Sequence, residues 1–116
     1  MSRVTRLVAV VSVLAMVAAP SASAAGRPDD LGRRTQRVKM ADRYRNVFRP
    51  RVIEISRGDT VVWVNIGNIT HTTTSSSWNS GNLAPGDTFK RRFRHAGTFN
   101  YHCSIHPNMT GTVVVG

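Results

Sequence analysis

Cysteine is the scarcest chemically reactive residue in this 116-residue chain, which contains one, Cys103. A single thiol excludes an internal disulfide and a zinc site built from several cysteines. Acidic residues are also few, with six Asp and Glu against sixteen Lys and Arg. Extended helical periodicity is missing after the first two dozen residues, which excludes a helical bundle. What remains is a small, basic protein whose folded part must be built mainly from strands and loops.

The first 24 residues have the pattern of a secretory signal peptide. Arg3 and Arg6 precede the apolar run 7–19, and Ala22-Ser23-Ala24 provides a small-residue cleavage site. The apolar run is shorter than a bilayer-spanning helix requires, which favours cleavage over an uncleaved membrane anchor. We therefore expect a protein exported to the periplasm or to the exterior of the cell, without stable membrane insertion after cleavage.

The segment after the leader divides into an arm and one domain. Residues 25–37 are charged and turn-forming with almost no apolar content, so we expect a disordered arm. Residues 38–116 alternate short β-rich runs with turn signals such as Arg57-Gly58-Asp59 and Pro85-Gly86-Asp87. This pattern predicts an all-β domain, an antiparallel β-sandwich or barrel. The predicted strands are 38–41, 51–56, 60–65, 88–93, 98–103 and 110–115, and the longest loop is 72–82.

Near the C-terminus the chain carries a Cys-x-x-His-x-x-Met motif, formed by Cys103, His106 and Met109. Thiolate, imidazole and thioether suit copper, and two His, one Cys and a weak axial Met form its electron-transfer site. His71, which follows a strand-like run, supplies the missing imidazole. If residues 98–103 form a strand, the turn after Cys103 returns His106 and Met109 to one point, while His71 must arrive from elsewhere in the fold. Copper would also protect the thiol of an exported protein from oxidation.

Each of these residues has a plain structural explanation when it is taken alone. His71 lies in a polar run where an exposed imidazole is common, Cys103 could be a small buried hydrophobe, and Met109 could fill the edge of the core. Zinc is the main competing metal, but methionine is a poor zinc ligand. The other histidines, His95 and His102, are assigned to no metal, since strand alternation points His102 away from Cys103. In combination, the motif and the additional histidine favour copper.

The segment 97–109 resembles the C-terminal copper loop of the small blue copper proteins, the cupredoxins. Its short spacing is most similar to that of amicyanins, whereas plastocyanins have a longer gap between His and Met. The likeness continues upstream through Phe48-Arg49-Pro50, residues 58–65 and residues 83–89 in the family's order. It therefore covers the whole predicted domain, residues 38–116.

This resemblance implies a Greek-key β-sandwich with one type 1 copper ion bound by the four predicted ligands. It also implies that electrons pass through the exposed edge of His106, within an apolar patch that docks the partner. The family commonly has Asn and Pro where this chain has Thr72 and Ile105, although the Thr72 hydroxyl can still form hydrogen bonds beside the site. The candidates for the apolar patch are Leu83, Pro85, Ile105 and Pro107.

Two functions are compatible with these copper ligands. The first is a one-electron carrier between redox partner proteins, with no catalytic turnover of its own because copper enzymes of this fold need further copper centres. The second is a copper storage or delivery protein that uses the same ligands and releases the ion to an acceptor. A third, weaker alternative is an adhesive β-sandwich without metal, for which Cys103→Ser would change nothing. We expect a monomer.

Positive charge is the remaining feature of the sequence. The formal charge is +10, and without Arg3 and Arg6 it is +8, concentrated in residues 33–51 and 90–94. Clustered Lys and Arg are typical of nucleic-acid binding, but export removes the protein from nucleic acid, so no such partner is expected. Two interpretations stay open, a solvated face that aids solubility or a surface that steers the protein towards an acidic redox partner or an anionic envelope.

Overall fold

Residues 34–116 are described by a computed structural model, and in this range the chain forms two β-sheets. The predicted leader and residues 25–33 of the predicted arm lie outside the described residues. No helix between residues 34 and 116 is long and apolar enough to cross a membrane. The strands are β1 (Thr35–Ala41), β2 (Val47–Arg49), β3 (Val52–Ile55), β4 (Thr60–Asn65), β5 (Thr88–Arg92), β6 (Gly97–His102) and β7 (Thr110–Val115).

One sheet has the strand order β2-β1-β4-β5 and the other has the order β3-β7-β6. The predicted β-sandwich is confirmed, but the antiparallel expectation is wrong for two pairs, because β1 with β4 and β3 with β7 run parallel. Parallel neighbours need a crossover connection. Between β1 and β4 the chain forms β2 and then β3, which belongs to the other sheet. A crossover of this kind leaves no local pattern in the sequence.

The first two strands differ from the prediction. Strand β1 begins at Thr35, three residues before the expected domain start at Val38, and residues 35–37 pair with residues 60–62 of β4. The side chains of residues 35–37 are exposed, so they carry no apolar signal. The short strand β2 was missed because Phe48 is its only fully buried residue.

The core lies between the sheets because every second residue of the central strands points inwards. Strand β4 buries Val61 and Trp63, and β7 buries Val113 and Val115. Burial of each such side chain contributes about 1.5–3 kcal/mol. An aromatic cluster fills the centre, where the Trp63 ring lies 5.4 to 5.9 Å from its neighbours; these are Trp78, Phe89 and Tyr101.

Two predicted turns are confirmed and direct the chain into β4 and β5. Gly58 has φ 93° and Gly86 has φ 91°, a left-handed conformation that glycine adopts without steric cost. The amide of Asp59 donates to the Ser56 carbonyl at 3.0 Å, and the amide of Asp87 to the Ala84 carbonyl at 2.9 Å. These hydrogen bonds close the turns immediately before β4 and β5.

Candidate metal centre

The Cys-x-x-His-x-x-Met motif forms the loop between β6 and β7. The Cys103 amide donates to the Met109 carbonyl, and the Met109 amide donates to the His106 carbonyl, both at 2.9 Å. Cys103 and Met109 are buried, whereas His106 is half-buried. The loop therefore brings its two ends together, as the spacing of the motif predicted.

His71 reaches this loop through a segment that connects the two sheets. Its amide and carbonyl pair with those of Leu83 at 3.1 and 2.8 Å, and Thr74 pairs in the same way with His102, the last residue of β6, at 2.8 and 2.9 Å. The second pairing holds segment 71–74 against the end of β6. As a result, the fully buried His71 imidazole lies beside Cys103.

The donor atoms of His71, Cys103 and His106 all lie within 4.8 Å of one another. The Cys103 Sγ atom is 4.0 Å from His71 Nδ1 and 3.6 Å from His106 Nδ1. Bonds of about 2.0 Å to nitrogen and about 2.3 Å to sulfur, as at protein zinc centres, would separate donors around a trigonal ion by about 3.7 Å. The spacing of the donors thus fits a single metal ion.

Asp42, a residue that the sequence analysis missed, anchors the opposite side of the His71 ring. Its Oδ2 atom lies 3.0 Å from His71 Nε2, and both side chains are buried. An ionised carboxylate only accepts hydrogen bonds, so His71 donates from Nε2 and keeps a lone pair on Nδ1, the atom nearest Cys103. Carboxylates in this position orient a metal-binding imidazole and raise its basicity.

The Asp42 carboxylate also holds the loop that leads to His71. The amides of Asn68 and Ile69 donate to it at distances of 2.9 to 3.1 Å. A Cβ atom at Gly67 would overlap the carboxylate, so a larger residue here would displace Asp42 from this position. The hydrogen bond from Asn68, and after it that from His71, lower the pKa of the Asp42 carboxyl below its ordinary value against the opposing effect of burial. The 29 positions between Asp42 and His71 explain why no local spacing pattern revealed the pair.

Thr72 joins the two ligand segments around the sulfur atom. Its amide donates to Cys103 Sγ at 3.3 Å, and its hydroxyl accepts a hydrogen bond from the Ser104 amide at 2.8 Å. The hydrogen-bonding role that the sequence suggested for the Thr72 hydroxyl is therefore confirmed. Hydrogen bonds to the cysteine sulfur are one means by which a protein tunes a copper site of this type.

The surface around His106 differs in one respect from the predicted apolar patch. Ile105, Pro107 and Pro85 are exposed, as the prediction requires. Leu83 is only 6% exposed, because its backbone pairs with His71 and its side chain packs into the core. Leu83 therefore supports the site from inside and is not part of an exposed patch.

Residues 34–116 contain two further histidines, His95 and His102, which lie outside the metal cluster and are exposed. The side chain of His102 is exposed while that of the following residue, Cys103, is buried, in agreement with the expected alternation. The expectation that neither histidine belongs to the metal cluster agrees with these positions.

The sequence profile of the cupredoxin-like domain matches residues 7–115. This chain belongs to the cupredoxin-like family. It is similar to a plastocyanin from Scenedesmus fuscus, with 33% identity over 90 residues that cover 65% of this chain and 92% of that protein. It is also similar to the amicyanin of Paracoccus denitrificans, with 36% identity over 70 residues that cover 54% of this chain and 53% of the amicyanin.

The fold comparison agrees with the sequence comparison. A purple cupredoxin from Nitrosopumilus maritimus superposes with a TM-score of 0.66 and 28% identity, over 70% of this cupredoxin-like chain and 99% of the other. The predicted family and β-sandwich are confirmed by these matches. Copper, the predicted cofactor, is confirmed as the metal of this family, and the clustered donor set fits it.

Proposed function

We propose that this cupredoxin-like protein is an exported one-electron carrier. Copper, when bound, supplies a centre that gains and loses a single electron. The observation that carries the proposal is the convergence of two imidazoles and one thiol, from separate segments, to within 4.8 Å. The proposed ligands are His71, Cys103, His106 and, weakly, Met109.

The surroundings of the ligands suit a carrier because they resist rearrangement. Backbone hydrogen bonds close the loop 103–109, and the Thr72 hydroxyl ties that loop to segment 71–74. Copper(I) and copper(II) prefer different geometries, so ligands that hold their positions let the oxidation state change with little movement. A rigid donor set of this kind favours rapid electron exchange.

His106 is the most exposed of the four proposed ligands. Its ring is half-buried and lies between the exposed residues Ile105 and Pro107, whereas His71 is fully buried. A partner that packs against this loop would lie next to a metal-binding imidazole. We infer that electrons enter and leave through His106.

Copper(II) titration of the purified protein, followed by visible absorption and EPR spectroscopy, tests the ligand set. We expect an intense thiolate charge-transfer band and narrow copper hyperfine splitting. Both should disappear in His71→Ala and in His106→Ala, and both should persist in the control His102→Ala, whose side chain is exposed beside the site. Retention of the band in His71→Ala or in His106→Ala would contradict the assignment of these two ligands.

Repeated redox cycles separate the carrier from the storage or delivery alternative. A carrier should show a reversible electrode response and keep its copper through many cycles in the presence of a competing copper(I) chelator. Transfer of the ion to the chelator after the first reduction would instead identify a delivery protein.

Export is the remaining part of the proposal, and it depends on the leader pattern in residues 1–24. N-terminal sequencing of the protein recovered from outside the cytoplasm should begin near Ala25. Recovery of the chain with Met1 in the cytoplasm would contradict export.

A further inference from the structure

A groove of about 910 Å³ opens beside His106, between the loop that carries this residue and the segment around β2. Three arginines line it, Arg45, Arg49 and Arg51, and we call it the arginine groove. Among residues 34–116, no acidic residue lines the groove. Its volume lies within the range of about 300–1,000 Å³ that is common for ligand-binding clefts.

Within residues 34–116, no carboxylate lies within ion-pair distance of the three guanidinium groups. All three arginine side chains are exposed. Arg51 is held at the groove by a hydrogen bond from Nη2 to Thr110 Oγ1 at 3.2 Å. A cleft lined by charges of one sign concentrates the field and attracts the opposite charge.

The other side of the groove exposes two apolar residues and adjoins the proposed electron route. Ile105 is 46% exposed, and the exposed Pro107 follows the half-buried His106. The groove thus combines cationic groups, an apolar contact and a copper-binding imidazole in one concave surface. An anionic membrane surface would complement the charge of the arginines. It is flat, however, and does not fit a concave groove, and it supplies no electron acceptor at His106.

We propose that the arginine groove binds an acidic segment of the redox partner protein. The carboxylates of that segment pair with the guanidinium forks, which match carboxylates in bidentate geometry. Apolar groups of the partner pack on Ile105 and Pro107, which places its redox centre near His106. This inference rests on the proposed electron-carrier function and names the chemistry of the partner.

Electron transfer to two inorganic oxidants of opposite charge tests the groove. Hexacyanoferrate(III) is the anionic probe and tris(phenanthroline)cobalt(III) the cationic one. In each reaction one electron leaves copper(I) and reduces iron(III) to iron(II) or cobalt(III) to cobalt(II), and no bond forms or breaks. Hexaglutamate, added as a mimic of an acidic segment, should inhibit the reaction with the anionic probe competitively.

The test variant is the double substitution Arg45→Glu and Arg49→Glu, and the control is Lys90→Glu with Arg94→Glu. Both change the net charge equally, but the control residues are exposed positions that do not line the groove. At low ionic strength the groove variant should react with hexacyanoferrate(III) at least about tenfold more slowly. Hexaglutamate should no longer inhibit the reaction of the groove variant. In the control variant, the rate and its inhibition by hexaglutamate should change much less. Unchanged absorption and potential would show that the copper site is intact.

Equal effects in the two double variants would overturn the inference, because net charge and not the groove would then set the rate. It would also be overturned if hexaglutamate had no effect while vesicles with phosphatidylglycerol bound the parent and not the groove variant, since the target would then be a membrane. Failure of the reduced parent protein to react with either oxidant would instead contradict the electron-carrier function itself.

Discussion

At the scale of single residues, the most informative side chain is Asp42, which contacts a proposed copper ligand and the loop before it. Its carboxylate accepts hydrogen bonds from His71 Nε2 and from the amides of Asn68 and Ile69. The contact fixes which ring nitrogen of His71 is free to bind metal. Asp42 is therefore a positioning residue for the proposed copper site.

Replacement of Asp42 by Asn removes a negative charge that favours copper(II) over copper(I). We expect the reduction potential to rise and the copper(II) affinity to fall by about 10–100-fold. Voltammetry and competition titration measure the two effects, and EPR reports the changed ligand geometry.

Asp59 provides a matched control for this substitution. It is buried and its carboxylate accepts hydrogen bonds from the amides of Ser56 and Arg34, as Asp42 does from its loop, but it contacts no residue of the metal cluster. Asp59→Asn should lower the free energy of unfolding and leave the potential unchanged. Equal shifts of potential in both variants would contradict a specific role for Asp42.

Met109 is the proposed weak ligand, and its replacement by Leu should raise the reduction potential. The axial ligand tunes the potential of this type of copper site, and an apolar side chain donates no electron density to copper(II). Voltammetry measures the shift, while visible absorption should show that the charge-transfer band remains. A lower potential, or loss of the band, would contradict the axial assignment.

At the scale of structural elements, Asn65 organises the loops that carry His71. It is buried at the end of β4, where its side-chain amide donates to the carbonyls of Ile69 and Leu83 at 2.8 and 2.9 Å. Its Oδ1 atom accepts a hydrogen bond from the Gly67 amide at 2.9 Å. One side chain thus fixes both the loop before His71 and the strand segment that pairs with it.

Replacement of Asn65 by Ala leaves the Ile69 carbonyl and the Gly67 amide without these partners, while the Leu83 carbonyl keeps its hydrogen bond from the His71 amide. Each unsatisfied group costs about 1–3 kcal/mol, so the free energy of unfolding should fall by at least about 2 kcal/mol in denaturant titrations. The EPR signal of the copper protein should broaden because His71 loses its fixed position. Asn100→Ala, at an exposed position of β6, should change stability by less than about 0.5 kcal/mol. Equal stability of the two variants would contradict this role of Asn65.

The strands themselves illustrate which elements could be predicted. Strands β4 and β7 match the sequence prediction at both ends: both are rich in valine, and β7 also alternates regularly between buried and less buried residues. Strand β2 has three residues and one buried side chain, too little for a periodic signal. The start of β1 depends on backbone pairing with β4 and not on its own exposed side chains.

At the scale of the whole molecule, the aromatic core connects stability with pH. Burial raises the pKa of Tyr101 from its ordinary value of 10.0 to about 12. The hydroxyl of the unfolded chain ionises first as the pH rises, so the folded state is progressively disfavoured between pH 10 and pH 12. The full effect of such a shift is on the order of 2–3 kcal/mol.

Tyr101→Phe keeps the ring and removes the ionisable group. Over this alkaline range the free energy of unfolding of the parent should fall more steeply than that of Tyr101→Phe, as measured by chemical denaturation of the copper-loaded protein. Tyr44→Phe, at a side chain that is 82% exposed, should behave like the parent. Identical pH profiles for the parent and Tyr101→Phe would contradict the assignment to Tyr101.

Features that depend on residues close together in the chain could be predicted from residue order alone. Three proposed ligands lie within the seven residues 103–109, so their spacing predicted a shared loop, and short β-rich runs between turn signals predicted a β-sandwich or barrel. The sequence proposed His71 as the fourth ligand, but it is the folded chain that brings His71 to this loop, places Asp42 against its ring and forms a groove of three arginines beside His106. These contacts form because strands and segments that are distant in the sequence pair with one another. The position of each partner depends on the packing of the whole sandwich.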